Sequence, residues 1–303
     1  MNWIGSYNNG NYCVAIADDG TKVRFNHEDH LTPEFPESID LKICNRCNMN
    51  CPQCHEMSTE DGALGNLDAP FLNTLKPYTE LAIGGGNPLS HPGLVPFLMR
   101  MKEQKIICSM TVHWWHFLYF EPLISMMVEQ CLLHGVGISV SNDIPEKDFN
   151  LLLKTLKRYP NAVVHVIAGI VNHDTMERLG DHDLKLLILG YKDWGRGEKY
   201  LEDHPGVVQS IEDLAEDLPR QRERFALICF DNLAVKQLHV QDMFGDEEWK
   251  TRYMGDDGQY TMYADLVKNE YAVSSTSERH PIVHDNITDM FQSVRKLSGH
   301  AGG

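Results

Sequence analysis

The amino-acid sequence predicts an α/β fold in which a parallel sheet, covered by helices, curves into a partial barrel. Two observations support this prediction. Strand-like and helix-like segments alternate regularly between residues 38 and 189, and the strand-like segments are almost continuously apolar. Parallel strands joined by helices make right-handed crossovers, which would curl the sheet into a partial (β/α)6 barrel.

A small β-hairpin is predicted ahead of the barrel, over residues 1–37. Two alternating segments, 12–17 and 22–25, are joined by Asp18-Asp19-Gly20-Thr21, which has the composition of a tight turn. We treat the hairpin as a separate N-terminal unit because the sequence pattern changes at Ser38.

The barrel core is predicted over residues 38–200. Its strand segments are 39–43, 81–83, 106–112, 136–140, 162–170 and 184–189. The first helix is expected to use Asp68 as its capping residue, with Pro70 in the first turn and Phe71, Leu72 and Leu75 along one side. The later helices are predicted over 94–104, 122–133, 146–159 and 174–179.

An α+β extension is predicted over residues 201–303, where it would cover a substrate. It contains an acidic helix over 208–218, a strand over 225–230 and a hairpin from 260 to 273. Polarity rises after about Ser274, and residues 300–303 are expected to be loose.

The composition indicates a soluble, unsecreted protein. Lys and Arg number 27 against 43 Asp and Glu, so the formal net charge is 27 − 43 = −16, which argues against bulk nucleic-acid binding. The N-terminus lacks a basic region and an apolar core, and no stretch reaches the ~20 apolar residues that span a bilayer. The scattered Cys13, Cys108, Cys131 and Cys229 indicate buried thiols of a reducing compartment. We therefore expect a cytoplasmic location and no membrane association.

Four cysteines within eleven residues, from Cys44 to Cys54, follow the first strand of the predicted core. The spacing Cys47-x3-Cys51-x2-Cys54 puts three thiolates on a loop tight enough to wrap a cubic iron–sulfur cluster, whose fourth iron would lack a protein ligand. Cys44-x2-Cys47 and Cys51-x2-Cys54 could instead be the two halves of a structural zinc site. The short separation of those two pairs, far below that of ordinary four-cysteine zinc sites, favours the cluster.

The run Cys47-Asn48-x2-Cys51-x2-Cys54 after the first strand resembles the motif of the radical S-adenosylmethionine (radical SAM) superfamily. The resemblance implies a TIM-like barrel in which Cys47, Cys51 and Cys54 bind three irons of a [4Fe–4S] cluster. S-adenosylmethionine would chelate the fourth iron and be cleaved to a 5′-deoxyadenosyl radical on reduction. The chain is therefore expected to be an enzyme of this superfamily, an oxidoreductase or transferase, whose subfamily the motif does not identify.

A second motif supports the resemblance. Gly84, Gly85, Gly86, Asn87 and Pro88 follow the second strand, where the family has a glycine-rich turn whose backbone binds the amino group of the cofactor. Glycine suits this position because the chain must approach the ligand closely and can need a positive φ. The usual family form is Gly-Gly-Glu-Pro, and here Asn87 stands in place of the glutamate.

Weaker matches lie on later strands. Ser141 and Asp143, after the fourth strand, are candidates to contact the ribose and methionyl group, and Val171, after the fifth, is a candidate near the adenine. The alternative for Ser141 and Asp143 is a capped turn before the following proline. Gln53 stands where the family usually has an aromatic residue, so the adenine contact is expected to differ in this chain.

No motif defines the catalytic acids and bases. Tyr191, Lys192 and Arg196 follow the sixth strand, in a loop that could bind substrate at the mouth of the barrel or could be an ordinary aromatic surface loop. His113 and His116, after the third strand, are open to two interpretations, a second metal site or hydrogen-bonded structural histidines.

A single cluster is predicted, because Cys229 is the one cysteine after Cys131, whereas relatives with auxiliary clusters carry several in this region. The electron would then come from an external donor of the flavodoxin or ferredoxin type. The substrate is expected to be a peptide, a protein or a small molecule, and the sequence leaves these open. The alternative function is a noncatalytic zinc or iron–sulfur protein for binding or electron transfer.

Overall fold

The computed structural model describes residues 2–28 and 30–300 and contains two sheets. The smaller sheet is antiparallel, with the strand order β1 (Trp3–Asn9), β2 (Tyr12–Ala17) and β3 (Lys22–Phe25). β2 and β3 are the predicted hairpin, and β1 is an additional strand that pairs with β2. The terminus that was predicted to be loose lies outside the described residues, apart from His300.

The larger sheet has ten strands, eight of which are parallel. The parallel strands are β4 (Ser38–Cys44), β5 (Glu80–Gly85), β6 (Ile107–His113), β7 (Gly135–Ser139), β8 (Ala162–Ile167), β9 (Lys185–Leu189), β10 (Leu227–Phe230) and β11 (Thr261–Asp265). β12 (Glu270–Ala272) and β13 (His280–Pro281) continue the sheet as antiparallel strands. The order is β10-β9-β8-β7-β6-β5-β4-β11-β12-β13, so β10 and β13 are the two edges.

The predicted α/β fold is confirmed, and its parallel sheet is larger than predicted. Strands β4 to β9 correspond to the six predicted segments. β10 and β11 extend the parallel sheet on its two sides, so residues beyond 200 also build the sheet. The hairpin predicted near residues 260–273 is formed by β11 and β12.

Helices connect the strands and pack on the sheet. They are α1 (Leu94–Glu103), α2 (Trp114–Tyr119), α3 (Glu121–Glu129), α4 (Glu146–Leu156), α5 (His173–Leu179), α6 (Arg196–Asp203), α7 (Gly206–Gln221), α8 (Asn232–Gln237), α9 (Asp246–Arg252) and α10 (Ile287–Leu297). In the described ranges, no helix combines the length and the apolar character that crossing a membrane requires.

Strand β4 shows how the sheet positions polar side chains. Ile39, Leu41 and Ile43 are at most 1% exposed and belong to the main hydrophobic core, because alternate residues of a strand point to the same face. Asp40 and Lys42 therefore point to the other face of the sheet, turned away from the main core, which we call the lumen. Parallel strands end at a common edge, so the loops after β4 to β9 meet at one mouth of the lumen.

The prediction of a helix capped by Asp68 is wrong. Residues Pro70–Thr74 form a single 3₁₀ turn, and the preceding Ala69 provides no side-chain cap. The Asp68 carboxylate instead lies 2.6 Å from Arg100 of α1. The ion pair with α1 therefore takes the carboxylate that was expected to cap the helix.

Five helices lie where the sequence analysis predicted none: α2, α6, α8, α9 and α10. α2 occupies the stretch directly after β6, and α10 lies in the polar C-terminal region. Ile287, Met290, Phe291 and Val294 of α10 are at most 1% exposed and pack in the main core. The polar residues between them raise the average polarity of the segment and conceal an apolar stripe with helical spacing.

Candidate functional site

The predicted cysteine loop leaves the carboxyl end of β4 and is held in shape by its own backbone. The amide of Cys47 donates to the carbonyl of Thr59 at 2.8 Å, and the amide of Asn45 donates to the carbonyl of Ala63 at 2.8 Å. Cys47, Cys51 and Cys54 are all free thiols, and each is partly exposed. The loop therefore presents three available thiols near the mouth of the lumen.

These thiols affect one another electrostatically. Burial raises the pKa of the Cys47 and Cys51 thiols, the neighbouring thiols raise it further, and the guanidinium of Arg196 opposes the shift.

In the part of the chain that the structure describes, no three His, Cys, Asp or Glu side chains form a group arranged to hold one metal ion.

Cys44 differs from the other three cysteines in its burial. It is fully buried in β4, and its Sγ lies 3.9 Å from the carbonyl oxygen of Arg46. Burial raises the pKa of the Cys44 thiol, while hydrogen bonds with Ser90 and with the backbone of Gly86 act in the opposite direction. Its thiol is thus engaged by the turn after β5.

The glycine-rich turn after β5 packs directly on the start of the cysteine loop. The amide of Gly86 donates to the carbonyl of Cys44 at 2.8 Å, and that of Asn87 to the carbonyl of Arg46 at 2.7 Å. Gly85 has a φ of +110°, and a Cβ there would lie 2.3 Å from the carbonyl oxygen of Cys44. A Cβ on Gly86 would lie 2.4 Å from the carbonyl oxygen of Arg46. Close backbone approach therefore requires glycine at both positions.

Gly84 differs from its two neighbours, because a Cβ added there would meet nothing within 4 Å. The turn thus has one side seated on the cysteine loop and one side open. Asn87 is only 6% exposed, and its Oδ1 accepts from the amide of Leu89 at 3.2 Å. The Asn87 side chain therefore caps the 3₁₀ turn Pro88–Ser90.

The loop after β9 closes against the cysteine loop from the other side. The guanidinium of Arg196 donates twice to the carbonyl of Ser58 at 3.1 Å, and its amide donates to the carbonyl of Cys54 at 3.3 Å. The hydroxyl of Tyr191 donates to the carbonyl of Gly197 at 2.6 Å. Arg196 therefore holds the two loops in contact, and Tyr191 braces the loop after β9 internally.

Lys192 reaches in a different direction. Its Nζ donates to the hydroxyl of Ser275 at 2.8 Å, and its charge lowers the pKa of Asp40 in the lumen. Burial has a larger and opposite effect, and it raises the pKa of Asp40 to about 6. On β8, four strands away across the curved sheet, burial lowers the pKa of His165 to about 4.

The later predicted residues lie at the ends of β7 and β8. Nε1 of Trp114 donates to the hydroxyl of Ser141 at 2.9 Å. A hydrogen bond from Ser141 lowers the pKa of Asp143. Val171 is partly buried against the main core, and its amide donates to the carbonyl of Ile167 at 2.9 Å. These residues share the mouth of the lumen with the cysteine loop.

A buried charged group that the sequence analysis did not single out fastens the far end of the cysteine loop. Lys42 Nζ lies 2.6 Å from Glu56 and 3.3 Å from Asp265 of β11. The hydroxyl of Tyr263 donates to Glu56 at 3.2 Å. The alternation of apolar residues in β4 was the available signal, since it places Asp40 and Lys42 on the lumen face.

His113 and His116 are both hydrogen-bonded. Nδ1 of His113 accepts from the amide of Trp115 at 3.3 Å and caps α2. Nε2 of His116 lies 2.8 Å from Oδ1 of Asn48 in the cysteine loop. These contacts favour the interpretation as hydrogen-bonded histidines over a second metal site.

Comparisons with known proteins bear on the fold. No protein-family model and no curated protein matches the chain. Three solved structures of SuiB from Streptococcus suis match at 12% identity, each over 86% of this chain. The TM-scores are 0.56 with the precursor peptide SuiA bound, 0.56 with S-adenosylmethionine bound and 0.52 for a further SuiB structure. This chain spans 65–66% of those SuiB chains, and at this identity the likeness shows a shared fold.

Proposed function

We propose that this chain is a radical S-adenosylmethionine enzyme in which Cys47, Cys51 and Cys54 hold a [4Fe–4S] cluster. The observation that carries the proposal is the division of the four clustered cysteines, all of them free thiols: three are partly exposed on one loop, whereas Cys44 is buried beneath the glycine turn. Three thiolate ligands leave one iron of a cubic cluster for another ligand. When bound, the cluster and S-adenosylmethionine would supply a 5′-deoxyadenosyl radical that abstracts hydrogen from a substrate.

The glycine turn supports the proposed cofactor site. Gly85 and Gly86 seat the turn on the cysteine loop, and Gly84 leaves open space beside the backbone. We assign S-adenosylmethionine to this open side, along residues 84–88, where close approach is sterically free. Ser141, Asp143 and Val171 remain candidates for its distal contacts, since they lie at the same mouth of the lumen.

The predicted catalytic candidates divide into two kinds. Arg196 would exclude water by keeping the loop after β9 closed on the cysteine loop, and Tyr191 would support the shape of the loop after β9. Lys192, which faces Asp40, remains the candidate for contacting a substrate in the lumen. Asp40 on β4 and His165 on β8 would add further polar groups.

For the substrate we propose a peptide or protein, with a small molecule as the alternative. The support is the shared fold with SuiB, for which a structure bound to a precursor peptide exists. The electron would come from a flavodoxin- or ferredoxin-type donor, and we propose that the protein works in the cytoplasm.

Anaerobic reconstitution tests the proposed function. The wild-type protein should take up about four irons and four sulfides per chain, and reduction with dithionite in the presence of S-adenosylmethionine should release 5′-deoxyadenosine, measured by liquid chromatography and mass spectrometry. Protein that carries iron and sulfide but never forms 5′-deoxyadenosine would contradict the enzyme.

Two variants sharpen this experiment. Cys51→Ala should abolish both cluster uptake and cofactor cleavage, whereas Cys44→Ala should leave both intact. Purified protein that holds zinc without sulfide, and loses it in Cys44→Ala, would instead support the noncatalytic alternative.

A further inference from the structure

We propose that His116 is a positioning residue for the cysteine loop, which it controls by fixing the side-chain amide of Asn48. The inference rests on the proposed cluster site and adds to it a residue from a different element, α2. Asn48 lies directly after the proposed ligand Cys47, so the orientation of its amide bears on the surroundings of the thiolates.

The hydrogen bond between these side chains has a defined direction. Nε2 of His116 lies 2.8 Å from Oδ1 of Asn48. Because an amide oxygen can only accept, Nε2 must carry the hydrogen. Burial lowers the pKa of His116 to about 4, so the ring is neutral and holds a single N–H. That N–H is the one directed to Asn48.

His116 is itself held rigidly. It is 1% exposed; its ring packs edge-on against Trp115, with ring centroids 5.4 Å apart, and at a tilt against Phe120, with centroids 6.4 Å apart. The helix that carries it begins directly after β6 and is capped by the ring of His113. The loop is thus tied to an element that is anchored in the sheet.

Fixing Oδ1 determines what the rest of the amide can do. With its oxygen occupied by His116, Asn48 keeps its NH₂ group free to donate. Hydrogen-bond donors around thiolate ligands raise the reduction potential of an iron–sulfur cluster, and partners that orient the surroundings of a metal strengthen its retention. A loop without the tether should hold the cluster less firmly and at a more negative potential.

The experiment uses reconstituted full-length protein and measures two quantities, the rate of iron loss to a chelator without oxygen and the midpoint potential from an EPR-monitored titration. His116→Phe, which keeps a ring but removes the N–H, should lose iron about tenfold faster and shift the potential to more negative values. His116→Gln restores a donor and should recover most of both. His113→Asn keeps the cap on α2, leaves the tether intact and should match the wild type.

A double variant separates positioning from a general structural effect. If His116 acts through Asn48, Asn48→Ala should reproduce both changes, and adding His116→Phe to it should change neither quantity further. An equal effect of His116→Phe in both backgrounds would overturn the inference. Should His116→Phe fail to fold, Asn48→Ala, at an exposed position, must still show the faster iron loss, and wild-type behaviour of that variant would overturn the inference.

The same data distinguish this inference from the proposed function. Wild-type protein that takes up no iron and sulfide overturns both. A wild-type cluster whose loss rate and potential are unchanged in His116→Phe overturns the role of His116 alone.

Discussion

Each end of β4 carries a buried group of ion pairs. The two groups have similar composition, but they attach different parts of the molecule to the strand. At the amino end, Glu37 is 1% exposed and lies 2.8 Å from Arg24 and 3.3 Å from Lys22, both on β3. At the carboxyl end, Lys42 is 5% exposed and lies 2.6 Å from Glu56 and 3.3 Å from Asp265. Each group is one buried charge shared by two partners of opposite sign.

The difference lies in what each group fastens. The Glu37 group joins the N-terminal sheet to the start of β4, and the hydroxyl of Tyr12 also donates to Glu37 at 2.7 Å. The Lys42 group holds the end of a loop whose three thiols are free, next to a turn with an open side. The amino end of β4 therefore contributes to the stability of the fold. The carboxyl end positions the cysteine loop, whose three thiols make no disulfide within the described residues.

Removing the charge at the amino end should have the largest effect on stability. Glu37→Ala removes the buried carboxylate that Lys22 and Arg24 share. Lys22 keeps its contact with Glu80 at 2.5 Å, whereas Arg24 loses its acidic partner, so the free energy of unfolding should fall by about 3 kcal/mol. Urea unfolding monitored by circular dichroism measures this. Iron and sulfide uptake by the remaining folded protein should be unchanged.

The exposed pair of Asp68 and Arg100 provides the matched control. Its atoms are as close, at 2.6 Å, but the Asp68 side chain is 83% exposed. Asp68→Ala should therefore cost less than about 1 kcal/mol. A Glu37→Ala loss no larger than that of Asp68→Ala would show that the amino-end group does not hold the sheet in place.

At the carboxyl end, Gly85→Ala should destabilise the protein by about 1–3 kcal/mol, because the backbone has a positive φ and the new Cβ would collide with the carbonyl of Cys44. Gly84→Ala, which meets nothing within 4 Å, is the matched substitution and should leave the unfolding curve in place. Equal unfolding midpoints for the two variants would mean that the turn is not seated on the cysteine loop as described.

Asp40, between the two ends, should show the cost of keeping a carboxyl group in the lumen. The protein around the lumen raises its pKa from 3.8 to about 6, so between these values the folded protein binds more protons than the unfolded chain. Stability from this group therefore falls as pH rises from about 4 to about 6, and because the side chain is solvent-accessible the resulting change in stability should be small. Asp40→Asn should match the wild type in urea midpoint near pH 4 and exceed it above pH 6.

The opposite result for Asp40→Asn, a variant less stable than the wild type at pH 8, would mean that the ionised carboxylate is held by favourable contacts. The lumen would then resemble the Glu37 site. A gain in stability would indicate that this carboxylate is kept for a role other than folding.

The sequence predicted features that depend on local pattern. The alternation around Ile39, Leu41 and Ile43 located β4, and the six strand segments of the core were found in the same way. The predicted cysteine loop and glycine turn both lie at the carboxyl ends of neighbouring strands, which parallel topology alone requires.

Contacts between distant residues were not predictable in this way. Asp68 looked like a helix cap and pairs instead with a residue 32 positions away. The bond from His116 to Asn48 spans 68 positions, and no periodicity in either segment indicates it. Lys42 and Asp265 meet because β11 returns to pair beside β4, a register that emerges only when the sheet is assembled.

The smallest expected effect separates Cys44 from its three neighbours. Cys44→Ala removes one buried sulfur atom from the end of β4 and should cost about 1 kcal/mol in the free energy of unfolding. The iron and sulfide content after reconstitution should equal that of the wild type, because its thiol is buried and is engaged by Ser90 and by the backbone of Arg46 and Gly86. If the metal content instead fell as far as in Cys51→Ala, all four cysteines would be ligands. The carboxyl end of β4 would then carry a structural metal site, and both ends of the strand would serve the stability of the fold.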